Sequence, residues 1–139
     1  MENLSEGFKE NFGNKVSLVI ISEADLIGNI IAANDPFCTI SGYSRDELIG
    51  SPHNIIRHPT MPKELFKHLW TTIQKGDVFR GIIKNLSKEG HHYWVNATIM
   101  PVFQGGKIVR YLGGRYLLND DKLAEEHFKK QMAGFKNKG

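Results

Sequence analysis

The chain has 139 residues, 40% hydrophobic and 24% charged, with a formal net charge of +3; that is enough apolar material for one core and too little for a second large domain. Cys38 is the only cysteine, which excludes an internal disulfide and a cysteine-based zinc site. The basic residues are spread along the chain except at Lys129-Lys130 and Lys136 to Lys138, which read as a solvated tail rather than a nucleic-acid arm. The start, Met1-Glu2-Asn3-Leu4-Ser5-Glu6, lacks the order of a signal peptide, and no apolar run is long enough for a bilayer. A cytoplasmic setting is expected, with any membrane association made through a partner.

Leu4, Phe8 and Phe12 are spaced for a short amphipathic helix over residues 1–14. Val16 to Ile21 is a β-branched run, predicted as a buried strand, and Ala24 to Gly28 as the turn after it. Asn29 to Asn34 reads as the second strand of a hairpin. Asn34-Asp35-Pro36 then starts a helix, with a capping side chain followed by proline in the first turn, and Gly42 ends it. Ser44 and Glu47 form a capping box for a second small helix. Pro59 and Pro62 stiffen the segment Asn54 to Pro62, which aims Arg57 and His58 in defined directions. Leu65, Phe66, Leu69, Trp70 and Ile73 give the helix from Pro62 to Lys75 one wide apolar face, with His68 off it. Val78 to Leu86, His91 to Phe103 and Lys107 to Tyr116 read as an antiparallel meander. Ala124, Phe128, Met132 and Phe135 stripe a C-terminal helix that either folds back or pairs with another chain. The expected class is α+β: a five-stranded antiparallel sheet with a helical insert on one face, a pocket between them, and amphipathic helices at both ends.

Strand periodicity places Phe79, Gly81, Ile83 and Asn85 on one face, which offers an aromatic edge, a gap, an aliphatic wall and an amide. A flat ring suits such a face, with Asn85 as donor and acceptor at its edge. An ordinary half-buried strand with a glycine bulge is the alternative. Arg57 suits a phosphate or a ring carbonyl, and His58 suits a ligand contact or a titrating group. His91 and His92 point to opposite faces and are not expected to share a metal. No phosphate-cradling glycine loop, nucleophile elbow or zinc-protease motif is present, and no nucleophile–base pair is evident, so no enzymatic activity is expected.

The ordered set Asn34-Asp35-Pro36-Phe37, Ser41-Gly42-Tyr43-Ser44 and Glu47-Leu48-Ile49-Gly50 resembles a PAS domain. Pro52 to Pro59, Met61-Pro62, Phe66 to Trp70, Gly81 to Asn85 and Tyr93-Trp94-Val95 narrow the resemblance to the PAS sensor domains of aerotaxis receptors. It covers about residues 15 to 117, which leaves 1–14 as a cap and 118–139 as a linker helix and tail. The resemblance implies non-covalently bound flavin adenine dinucleotide (FAD), whose redox state is relayed to a chemotaxis receptor or transmitter module, in cis or in trans. The implied pocket set is Arg57, His58, Trp70 and Asn85, with Asn34, Thr60 and Phe79 beside them. Thr60 stands where the family often carries an acid, and Phe79 where it often carries tryptophan. These departures keep open a haem-binding gas sensor with His53, His58 or His68 as axial ligand. The terminal amphipathic stripes keep open a second alternative, a ligand-free interaction module that dimerises or docks through Phe8 and Phe12 or Phe128 and Phe135. The thiol of light-sensing flavin domains is missing from Asn54-Ile55-Ile56-Arg57, so cysteinyl photochemistry is not expected.

Overall fold

The computed structural model describes residues 19–137. Its strands are β1 (Ile20–Ala24), β2 (Ile30–Ala33), β3 (Phe79–Leu86), β4 (His92–Gln104) and β5 (Lys107–Leu118). They form one antiparallel sheet in the order β2-β1-β5-β4-β3. Between β2 and β3 lie α1 (Asp35–Ser41), α2 (Arg45–Leu48), a 3-10 turn (His53–Ile56) and α3 (Lys63–Gln74); α4 (Asp121–Asn137) follows β5. The expected fold class is the observed one. The predicted stripe of Leu4, Phe8 and Phe12, and the first residues of the predicted strand from Val16, lie outside the described residues.

The hairpin turn falls at Asp25 to Gly28, within the predicted Ala24 to Gly28, but the strand before it runs past its predicted end at Ile21, through Ser22 and Glu23 to Ala24. Ser22 points to the buried inner face, while the Glu23 carboxylate accepts a hydrogen bond from Arg110 Nε at 2.8 Å. The turn itself is built by Asp25, whose Oδ1 accepts from the backbone N–H of Ile27 at 3.1 Å and of Asn29 at 2.9 Å. Gly28 closes it at φ +95°, a region favouring glycine.

Asn34 does more than cap α1. Its Oδ1 accepts from Phe37 N–H and from Ile21 N–H, and its Nδ2 donates to the Val19 carbonyl, so the helix start is tied to β1. The capping box of Ser44 and Glu47 forms as expected. Lys88 holds the Glu47 carboxyl low, at about 2, through a 2.6 Å ion pair.

Helix α3 lays Leu65, Leu69 and Ile73 against the inner face of the sheet. Burying each such side chain contributes about 1.5–3 kcal/mol. With Ile30, Phe37, Ile40, Leu48 and Val95 they make up the centre of the core. Helix α4 folds back rather than standing free. Phe128 packs on Trp94, which lies on the outer face, and Phe135 reaches His68 of α3. Lys129 and Lys130 are therefore exposed positions on a docked helix rather than part of a loose tail.

Candidate functional site

An open pocket of about 210 Å³ lies between the inner face of the sheet, the 3-10 turn and α3. Its walls are mostly apolar: Ile56, Phe66, Leu69, Ile73, Ile83 and Ile99. Gly28 and Gly113 also line it, each with a side chain of the chain itself laid over it, Trp70 and Arg115 respectively. The only charged side chains in its lining are the guanidinium groups of Arg57 and Arg115, and no carboxylate faces it among the described residues.

The buried end is set by β5. Alternation puts Tyr111, Gly113 and Arg115 on the inner face. Gly113 is what lets Arg115 lie along the strand: a Cβ there would meet Arg115 Nη2 at 2.7 Å. Arg115 is 4% exposed and donates from Nη1 to Ser22 Oγ at 3.0 Å. Its Nη2 lies 3.0 Å from His53 Nε2, and Ser22 Oγ lies 2.9 Å from that same nitrogen. Arginine has no acceptor, so His53 Nε2 must accept, and the imidazole is neutral with its proton on Nδ1. Burial first, and the Arg115 charge second, push the His53 pKa down to about 3. Burial likewise lowers Arg115, to about 10, which leaves it charged at neutral pH. On the neighbouring strands Asn85 faces Tyr93 across the β3–β4 pair. Burial pushes the Tyr93 hydroxyl up, so it remains a neutral donor.

The mouth is set by the proline-flanked segment and α3. The Arg57 guanidinium stacks over the Phe66 ring at 3.6 Å. Its Nε is buried and has no hydrogen-bond partner among the described residues. An orphaned buried donor of this kind is costly and calls for an acceptor beyond the described residues, a role a bound ligand would fill. Trp70 stands edge-on to Tyr111, with ring centroids 5.6 Å apart. It also lies against Gly28, where a Cβ would meet its ring at 2.9 Å. Ile27, 81% exposed, forms the opposite lip.

Of the residues singled out from sequence, Arg57, Trp70 and Asn85 meet in this pocket. The other four do not line it. Asn34 spends its side chain on α1 and β1. His58 turns to Thr60 on the surface: its Nδ1 accepts the Thr60 N–H at 3.1 Å and lies 2.7 Å from Thr60 Oγ1. Desolvation first, then the Lys84 and His92 charges, lower the His58 pKa. Phe79 is buried on the predicted face but fills the space above Gly81 itself, together with Gln131. The gap expected at Gly81 is thus closed from within the chain. Of the three candidate haem histidines only His53 lines the pocket. His53 Nε2 is engaged, His58 is outside, and His68 stacks on Phe135. No cluster of metal-ligating side chains occurs among the described residues. His92 pairs with Asp121 at 2.9 Å rather than with His91.

Sequence reasoning missed Arg115, Ser22, His53 as a pocket polar group, and Tyr111. The available signal was an arginine at inner parity in a central strand, two residues after a glycine. A buried charge at such a place needs a reason.

Residues 30–114 match the PAS fold family. Over 105 residues the chain is 45% identical to the aerotaxis receptor of Escherichia coli strain K12, covering 76% of this chain and 21% of that receptor. It is 36% identical over 94 residues to the biofilm dispersion protein BdlA of Pseudomonas aeruginosa, covering 64% of this chain and 22% of that protein. The chain thus spans about a fifth of the length of these relatives. A light-oxygen-voltage domain solved in work with a flavin analogue superimposes with a TM-score of 0.72 at 20% identity, covering 92% of this chain and 96% of that one. The sheet order, the capped helices between β2 and β3, and the match across most of this sheet and its insert lead to one conclusion: the chain belongs to the PAS fold family.

Proposed function

We propose that this domain is the sensory module of an aerotaxis- or chemotaxis-type signalling protein and that it binds a flavin, FAD in the fullest form of the reading. One observation carries the proposal: a mostly apolar pocket whose only charged lining groups among the described residues are Arg57 and Arg115. A flavin ring is apolar on its faces and rich in acceptors at its edge. Arg115 and Asn85 supply donors deep in the pocket, and Arg57 suits a phosphate at the mouth. The identity to an aerotaxis receptor and the likeness to a light-oxygen-voltage domain support the same ligand class. A bound flavin would supply reversible redox chemistry. Two fixed positive charges favour whichever of its states carries more negative charge.

The signal passes from the pocket through the sheet to the chain ends, and from there to a receptor or transmitter module in cis or in trans. A cytoplasmic location accords with this role. No helix among the described residues is long and apolar enough to cross a membrane. A ligand shifts such an equilibrium only by its differential affinity for the two states.

The test is absorbance and fluorescence titration of the purified chain with FAD, flavin mononucleotide and riboflavin. Saturable binding that Arg115→Met weakens supports the reading. A chain that leaves all three flavins free overturns it. Binding of all three with equal affinity would remove Arg57 from its phosphate role and leave only the ring site.

A further inference from the structure

The free edge of β3 is sealed one step at a time by different parts of the chain. In an antiparallel strand, alternate residues turn their backbone groups outward, and on β3 these include Ile82 and Lys84. At Lys84 the seal is the pocket loop: Met61 Sδ accepts the Lys84 N–H at 3.4 Å, and His58 N–H donates to the Lys84 carbonyl at 3.4 Å. At Ile82 the seal is Gln131 of α4. Its Oε1 accepts the Ile82 N–H at 2.7 Å, and its Nε2 donates to the Ile82 carbonyl at 3.1 Å. One side-chain amide thus reproduces both hydrogen bonds of an absent neighbouring strand. Unpaired edges invite strand addition, and proteins cover them for that reason.

We infer that the β3 edge is a strand-addition site for an extended acidic segment of a partner, and that Gln131 holds it closed from within the chain. Charge argues for the acidic partner. Arg80, Ile82 and Lys84 share the outer face of β3, so a cation, an aliphatic group and a second cation stand in a row. The pocket loop keeps the edge at Lys84, so an incoming strand that replaces Gln131 at Ile82 runs toward Arg80, where a carboxylate is matched to the exposed guanidinium, with the Lys84 ammonium adding positive charge at the other end of the row. A second copy of β3 is not: an antiparallel pairing centred on Ile82 would set Arg80 against Lys84. The seal at Ile82 is a single side chain: Gln131 alone caps that residue, on a helix otherwise held by Ala124, Phe128, Met132 and Phe135 against the core and by Asp121 on His92, so the edge opens by a swing of Gln131 with the helix in place. Exposed Arg80 marks the next step along the strand with a charge.

The test uses the full chain and its Gln131→Ala variant, with circular dichroism to verify folding. Amide hydrogen exchange is read at Ile82, whose N–H the glutamine covers, and at Ile83, whose N–H faces β4. The variant should exchange about tenfold faster at Ile82 and no faster at Ile83. A short capped synthetic peptide, with glutamates flanking a central valine at every second position, is then titrated by fluorescence anisotropy. It should bind the variant about tenfold more tightly than the parent, weaken with added salt and slow Ile82 exchange again. The same peptide with lysines for glutamates should not bind. Unchanged exchange at Ile82 overturns the seal. Faster exchange without acidic-peptide binding, or equal binding of the lysine peptide, overturns the partner. Self-association of the variant alone would make a second copy the occupant and overturn it as well.

Discussion

Two histidines five positions apart on one short segment meet opposite environments. His53 is drawn into the 3-10 turn, loses water, and has its Nε2 fixed by Ser22 and Arg115. His58 leaves the turn after Arg57, pairs with Thr60 and stays at the surface. The segment that looked most chemical in the sequence supplies the rim of the pocket. The buried chemistry sits instead on β1 and β5, where nothing in the local composition advertises it. A polar residue in a loop is normal and cheap. A guanidinium in the centre of a sheet costs several kcal/mol of desolvation and persists only if something repays it.

The sharpest way to break this contrast is Arg115→Met. The buried charge goes, while Ser22 and His53 keep their mutual hydrogen bond. The ligand-free fold should keep or raise its melting temperature. Flavin affinity, by titration, should fall about 30-fold, the loss of one charge-assisted hydrogen bond of about 2 kcal/mol. A drop in melting temperature with unchanged affinity would make Arg115 structural.

Next in size is a pH effect that separates the two histidines. The folded His53 pKa of about 3 lies below its ordinary 6.5, so as pH falls the unfolded chain takes up a proton before the folded one. Its stabilisation is complete above pH 6.5 and is lost toward pH 3, at up to about 1.4 kcal/mol per unit. Urea melts of the parent and His53→Gln should diverge over that window, with the variant showing the flatter profile. In Arg115→Met, which removes the second cause of the shift, the window should narrow from its lower side.

A Gly28→Ala substitution meets φ +95° and a Trp70 ring at 2.9 Å, so strain and a displaced indole act together. The expected cost is about 1–3 kcal/mol in a denaturant melt, with weaker flavin binding because Trp70 moves into the pocket. Arg57→Ala should cost the fold about 1 kcal/mol through its lost contact with Phe66. It should weaken phosphate-bearing flavins more than riboflavin. The smallest effect belongs to Thr60→Val, which loses one exposed hydrogen bond to His58. Stability should change by about 0.5 kcal/mol, and ring affinity should not change. A large affinity loss there would return the Thr60–His58 pair to the site.

Most of the fold was legible because its signals are local. Asn34 and Pro36 start a helix, Gly42 stops it, Ser44 and Glu47 box the next, and α3 shows its face by spacing alone. The strand was ended at Ile21 because Ser22 and Glu23 break the apolar run; their partners, His53 and Arg110, explain why β1 continues through them. The C-terminal stripe was visible, but not that Phe128 would meet Trp94 or that Gln131 would complete the edge of β3.

The pocket followed the same rule. Trp70 and Asn85 lie on faces that periodicity defines, and Arg57 on a segment that proline stiffens; all three reached the cavity. Asn34, His58, Thr60 and Phe79 have local chemistry that the chain itself consumes, which spacing does not reveal. By itself the sequence determined the elements and their order, because caps, periodicity and turn chemistry act over a few residues, while the PAS class rested on the resemblance of its ordered motifs to that family. Only the tertiary structure decided which polar groups stay unpaid for by the chain, because burial and hydrogen-bond satisfaction depend on residues brought together from 31 to 93 positions away.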